Sequence, residues 1–300
     1  MACLIKLSFL CKISCNNSKI PLSKQKRQSM TNIVITGCST GIGLETAKYL
    51  KDKFVKVYPT ARTAKDVVML KALGFEHAMQ LDVTKAQEIT DVINAVLEDD
   101  GKIDVWFNNA GFGQPGAIED VKTNILKEQF ETNVFGLHEC TRQVIPVMRK
   151  QGQGKIIQHS SVLGIISLFG RGAYNASKYA IEGLTDTLRL ELKGTNIYAV
   201  LLNTGPISSH FRQTAIKKLE ENIDMEHSVF KNRYKKDLVG THRKVPFNEE
   251  AVSVAQVVHK IILTDRPNPR YYITKATYLL GYVKRIVSSS ILDKILFKIG

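Results

Sequence analysis

From residue 32 to residue 274, short β-rich runs alternate with stretches of helical spacing, and this rhythm constrains the fold more than any other feature. The runs are NIVIT (32–36), VKVYPT (55–60), HAMQL (77–81), IDVWF (103–107), KIIQHS (155–160), NIYAVLL (196–202) and YYIT (271–274). Helical patterns fill 43–53, 65–73, 85–97, 119–150, 172–192 and 249–264 between them. Strands joined through helices pair in parallel by right-handed crossovers and carry the helices on both faces. The expectation is a single α/β domain built on a doubly wound parallel sheet. No internal repeat competes with it.

The rhythm breaks in two places. After Pro206 the chain turns polar and Lys/Glu-rich, so residues 207–245 read as an insertion suited to a mobile lid. Residues 276–300 form a basic, amphipathic end. Residues 1–30 contain an apolar run broken by Lys6 and Lys12, too short to span a membrane and without a small-residue cleavage site. They read as a disordered extension, or as a segment upstream of a start at Met30, with targeting as the alternative. The domain proper then covers 31–275.

The formal net charge of +14 invites a nucleic-acid reading, and its location removes it. Residues 1–30 carry +6 and residues 266–300 carry +6, which leaves only +2 for residues 31–265. Nucleic-acid binding needs a contiguous basic surface. Five cysteines (3, 11, 15, 38 and 140), odd in number and without a metal-type CxxC pair, suit reduced thiols in a cytosol and no metal site.

TGCSTGIG (36–43) lies between the first strand and the first helix. Gly37, Gly41 and Gly43 let the backbone turn tightly against a diphosphate, and Ser39, Thr40 and Ile42 complete the loop. The helix behind it offers free N–H groups and the positive end of its dipole. A plain helix start capped by Ser39 or Thr40 is the simpler alternative. At the end of the second strand an acid would select NAD; the residues are Thr60-Ala61-Arg62, and the planar fork of Arg62 suits a 2′-phosphate. That favours NADP over NAD, unless Arg62 is only a solvated surface residue. Asp82 and Val83, ending the third strand, fall near the adenine, and Asn109-Ala110-Gly111 let the backbone pass the nicotinamide ribose.

Tyr174 and Lys178 are four apart at a helix start and share a face. An ammonium beside a phenol favours the phenolate, so the Tyr174 pKa is expected to fall. The pair alone is common on solvated helix faces. Ser161 adds weight, because it ends a strand at the carboxyl edge where open α/β sheets bind ligands. Asn133 occupies a polar helix position that could hold a water behind Lys178.

Together, TGxxxGIG at 36–43, NNAG at 108–111, Asn133, Ser161 and YxxxK at 174–178 resemble the short-chain dehydrogenase/reductase superfamily over about residues 32–275. The fuller wording is most similar to bacterial NADPH-dependent aldehyde reductases, with hydroxysteroid and retinol dehydrogenases as relatives. The resemblance implies a Rossmann-type sheet, a homo-oligomer, and roles for each residue. Ser161 would bind the substrate carbonyl, Tyr174 would give the proton, Lys178 would hold the ribose and tune Tyr174, and Asn133 would complete a relay. Ile207 and Ser209 would touch the nicotinamide end. One departure stands out: Asn203-Thr204-Gly205 stands where the family has Pro-Gly, which should loosen that turn.

Leu163–Phe169 is almost wholly apolar, and Phe112 follows the NNAG turn. Leu163 and Phe112, with Ser161 and Tyr174, are expected to line a pocket for an apolar aldehyde or ketone; core packing is the alternative for Ile165 and Ile166. An oxidising steroid- or retinol-type dehydrogenase and a non-catalytic dinucleotide sensor remain as other readings, the latter weakened by the intact set of four catalytic residues. The C-terminal segment could touch an anionic membrane; a cover over the substrate side or a dimer contact explains it more simply.

Overall fold

The computed structural model describes residues 30–239 and 247–299; the expectations for residues 1–29, and for residues 240–246 of the insertion, fall outside this range. Seven strands form one parallel sheet: β1 (Thr31–Ile35), β2 (Val55–Ala61), β3 (Met79–Gln80), β4 (Val105–Asn108), β5 (Gly154–Ser161), β6 (Ile197–Thr204) and β9 (Arg270–Tyr272). Their order is β3-β2-β1-β4-β5-β6-β9, and every pairing is parallel. The order reverses between β1 and β4, so the carboxyl ends of these strands open a crevice where ligands bind in such sheets.

Period-two alternation sorts the strand side chains into two cores. Ile33, Ile35, Phe107, Ile157, Val200 and Leu202 face one side, where they meet α1 (Gly41–Lys51), α2 (Ala64–Ala72) and α9 (Ala251–Leu263). Val34, Tyr58, Trp106, Ile156 and Ala199 face the other, under α3 (Ala86–Asp100) and α5 (Leu137–Gln151). Trp106 is fully enclosed, and its indole N–H donates to Asn108 Oδ1 at 2.8 Å, so the largest core side chain leaves no unpaired donor. Cys38 and Cys140 are buried free thiols, and burial pushes the Cys38 pKa up to about 12.

The helix expected over 119–150 is broken. α4 (Thr123–Phe130) passes into a π turn at Glu131–Gly136 before α5 begins. Gly136 meets Val83 there: a Cβ on it would stand 2.8 Å from both the Val83 carbonyl oxygen and its Cγ2. The insertion after β6 folds into a short pair, β7 (Ile207–Ser208) with β8 (Glu249–Glu250), and two helices, α7 (Phe211–Asn222) and α8 (Lys231–Val239). Its anchor is a small apolar cluster of Ala117, Leu219, Ile223 and Tyr234. The Tyr234 hydroxyl donates to Asp120 and accepts from the Ala117 N–H at 2.8 Å.

The C-terminal segment is two helices, α10 (Lys275–Ile286) and α11 (Ser289–Ile299). Leu292 and Leu296 are buried against Val162 and Ile166. Tyr278, Leu279, Tyr282, Ile286 and Phe297 remain exposed. Among the described residues no helix is long and apolar enough to cross a membrane.

Candidate active site

α6 (Gly172–Glu191) runs beside the carboxyl end of β5 and carries Tyr174 and Lys178 on one face, one turn apart. The Lys178 ammonium stands 5.5 Å from the centre of the Tyr174 ring and donates to the His159 carbonyl at 2.6 Å. Ser161 is the last residue of β5; its hydroxyl accepts from the Leu163 N–H at 3.1 Å and interacts with the Tyr174 phenol. The three side chains expected to converge do so at one edge of the sheet.

The expected fall of the Tyr174 pKa is reversed. Loss of hydration around the phenol pushes it up to about 12, and the Ser161 hydroxyl offsets only part of that. The ring is tilted against Phe211 with centroids 5.4 Å apart, which keeps water from one side. The same desolvation pushes Lys178 down to about 8, against the pull of the Glu182 carboxylate. Adjacency predicted attraction between the two groups; burial opposes ionisation of both and wins. The result at neutral pH is a phenol that keeps its proton beside an ammonium near its titration point.

Asn133 sits in the π turn, a widened helical turn often found at functional sites. Its amide is committed to the backbone that follows the NNAG turn. Oδ1 accepts from the Phe112 N–H at 3.1 Å, and Nδ2 lies 2.9 Å from the Phe112 carbonyl and 3.2 Å from Ser177 Oγ. Gln129, four residues earlier, repeats the pattern on Gln114 and Phe112. The two amides staple residues 112–114 in place.

The glycine turn fits a dinucleotide phosphate. Gly37 adopts a φ of +71°, and a Cβ on Gly43 would lie 2.4 Å from the Gly37 carbonyl oxygen and 2.5 Å from Asn109 Nδ2. No side chain is tolerated at that crossing. Thr40 is the residue before α1, yet its side chain makes no capping bond, so the simple capped helix start is not what forms. The first-turn N–H groups are left for an acceptor from outside the helix. Asn109 and Ala110 are tied to the turn, both N–H groups donating to Thr36 Oγ1 at 3.0 and 2.9 Å. Ser209 comes within 3.5 Å of where a Gly41 Cβ would be, bringing the start of the insertion against the phosphate turn. Arg62 is exposed just beyond β2. Asp82 turns its Oδ1 onto the N–H and hydroxyl of Thr84.

Leu163 and Phe112 are half-buried near this edge, whereas Ile166 is wholly buried under the C-terminal helices and belongs to the core. Phe211 and Glu182 were not singled out from sequence. Phe211 lay in a polar stretch with no period to flag it. Glu182 was legible in principle, since it follows Tyr174 and Lys178 at the same four-residue interval. Buried, it accepts from Ser160 Oγ and Asn203 Nδ2 and pairs with Arg270, which joins α6 to β5, β6 and β9.

A parallel sheet of this order with a glycine-lined first turn and a serine, phenol and ammonium at its carboxyl edge defines a nicotinamide-dependent oxidoreductase. The chain belongs to the short chain dehydrogenase family, whose model matches residues 31–220. It is 34% identical over 266 residues to the uncharacterized oxidoreductase YbbO of Escherichia coli K12, covering 88% of this chain and 93% of that protein. It is 30% identical over 259 residues to human 17-beta-hydroxysteroid dehydrogenase type 1, covering 82% and 78%. Among solved structures, an actinorhodin polyketide ketoreductase with NADPH superposes with a TM-score of 0.69 at 26% identity, covering 84% of this chain and 97% of that one. The chain is thus an NAD(P)-dependent short-chain oxidoreductase acting on CH–OH or carbonyl groups.

Proposed function

We propose that the protein is an NADPH-dependent reductase of apolar aldehydes or ketones, with Tyr174 as proton donor. The observation that carries this reading is the meeting of the Ser161 hydroxyl, the Tyr174 phenol and the Lys178 ammonium at the carboxyl end of β5. Desolvation pushes the half-buried phenol up to about 12, so Tyr174 carries the proton that a nascent alkoxide needs. When bound, the nicotinamide supplies the hydride. Ser161 orients the carbonyl by hydrogen bonding to its oxygen. Lys178 holds the ribose hydroxyls and, as a cation, stabilises the phenolate left after proton transfer. A relay water would meet Asn133 through its main chain in the π turn and return the proton, because the Asn133 amide is engaged by Phe112 and Ser177.

Residues 36–43 would seat the diphosphate, Asp82 and Val83 the adenine, Asn109–Gly111 the nicotinamide ribose, and Ile207 with Ser209 the carboxamide end. Leu163 and Phe112 would face the substrate, and the burial of Leu292 and Leu296 on Val162 and Ile166 supports the C-terminal helices as a cover for that side. Lys218, whose ammonium stands 5.5 Å from the centre of the Phe112 ring, is paired with Glu128 at 3.0 Å, and the steroid substrate named for the human relative is apolar. The test is NADPH oxidation across fatty, aromatic and steroid carbonyls against short keto acids. Equal rates on the keto acids would refute the apolar pocket.

Two further results are expected. Arg62→Ala should cut the preference for NADPH over NADH by roughly tenfold to a hundredfold, the worth of about 1.5–3 kcal/mol for a charge-assisted hydrogen bond; an unchanged ratio of the two kcat/KM values would leave the phosphate without its partner. The pH profile of kcat/KM, which reports the free enzyme, should fall as pH rises through about 8, because Lys178 there loses the charge that stabilises the phenolate. Tyr174 keeps its proton throughout that range.

A further inference from the structure

His159 lies two residues before Ser161 on β5, and its ring bridges the strands on either side. Nδ1 is 3.1 Å from Asn109 Oδ1 beyond β4, and Nε2 is 3.2 Å from Thr204 Oγ1 at the end of β6. We propose that His159 and Thr204 form a transverse crosspiece under the cofactor cleft, a pair of positioning residues that fixes the nicotinamide end of the site to the glycine turn. The inference rests on the reading of this cleft as the dinucleotide site.

The partners decide where the imidazole proton sits. Asn109 Nδ2 donates to the Thr36 and Gly37 carbonyls at 2.9 and 3.1 Å, so its Oδ1 can only accept. His159 Nδ1 must therefore carry the hydrogen. Desolvation, with Lys178 nearby, pushes the imidazole down to about 3, so the ring is neutral and Nε2 presents a lone pair. The Thr204 hydroxyl, 3.2 Å away, is the donor that lone pair faces; its other acceptor among the described residues is the Ser160 carbonyl at 3.3 Å, and the crosspiece has the proton on the imidazole side. A proline at 204, expected from the family resemblance, has no hydroxyl to give.

The bonds then run in one direction across four adjacent strands: Thr204 to His159, His159 to Asn109, Asn109 to the Thr36–Gly37 carbonyls. Every link lies at the carboxyl edge. One end is the phosphate turn; the other is three residues before Ile207. The His159 main chain also accepts from Lys178. A shift of this strand end therefore moves both the cofactor floor and the residue that holds the ribose. Thr204, which by sequence should loosen its turn, ties it to the rest of the sheet.

The test has two arms. In the wild-type protein without cofactor, ¹⁵N NMR of labelled histidine, assigned by the signal lost in His159→Gln, should report a neutral ring protonated at Nδ1 at neutral pH. In Thr204→Val, which keeps the shape and deletes the donor, the Nε2 resonance should move downfield, NADPH binding should weaken about fivefold to tenfold, and Thr204→Ser should restore it. Melting curves of the free proteins show whether each variant folds, and the wild-type tautomer is read whatever they do. A ring protonated at Nε2, or NADPH binding by Thr204→Val equal to wild type, overturns the crosspiece. Failure of the wild type to bind NADPH or NADH would instead overturn the reading of the cleft, and the crosspiece's role with it.

Discussion

Tyr174→Phe removes one oxygen and, on this account, nearly all turnover: kcat should fall about a thousandfold or more while NADPH binds as before. The ring stays tilted against Phe211 with centroids 5.4 Å apart, so the cleft keeps its shape. What is lost is the proton for the alkoxide formed as hydride arrives, and positioned acid catalysis is worth about 10²–10⁴-fold. Stopped-flow NADPH oxidation, with the Kd for NADPH from fluorescence, separates the two quantities. A variant retaining a tenth of wild-type turnover would place the proton donor elsewhere.

Gly43→Ala should have the opposite signature, with binding lost first. The added methyl would stand 2.4 Å from the Gly37 carbonyl oxygen and 2.5 Å from Asn109 Nδ2, distances no packed carbon keeps. Gly37 is itself packed against the NNAG turn, where a Cβ on it would stand 2.8 Å from Ala110 Cα. The turn must open, and an error of about 1 Å in a positioned site costs on the order of 10²-fold. NADPH affinity is therefore expected to drop about a hundredfold. Overpacking at the crossing should also cost about 1–3 kcal/mol of stability, read as a lowered urea midpoint. Normal NADPH affinity in Gly43→Ala would remove the glycine turn from the binding site.

The sheet was legible because its strands are continuous apolar runs between turn residues, and the positions of Ser161, Tyr174 and Lys178 follow from strand end and helix period. Four things were not legible, each for a physical reason. The π turn at Glu131–Gly136 adds residues without disturbing the apolar spacing on either side, so 119–150 reads as one helix. The direction of the Tyr174 shift depends on how dry the phenol is, and a four-residue spacing reports neighbours but not hydration. Ile166 and Leu163 both pack in the cluster of Leu292 and Leu296, and only the complete burial of Ile166 against the partial exposure of Leu163 separates core from candidate pocket. The insertion after β6 looked merely polar because its apolar partners, Ala117 and Val121, lie a hundred residues away in sequence.

The central claim is that hydride passes from nicotinamide to a carbonyl carbon at the edge where Ser161, Tyr174 and Lys178 meet. Incubating the protein with NADPH deuterated on the transferring face of the nicotinamide and an apolar carbonyl, followed by mass spectrometry of the product, tests it most directly. The account predicts an alcohol carrying one deuterium on the former carbonyl carbon, formed by the wild type and not by Tyr174→Phe. An alcohol without the label, or equal labelled product from both proteins, would contradict it.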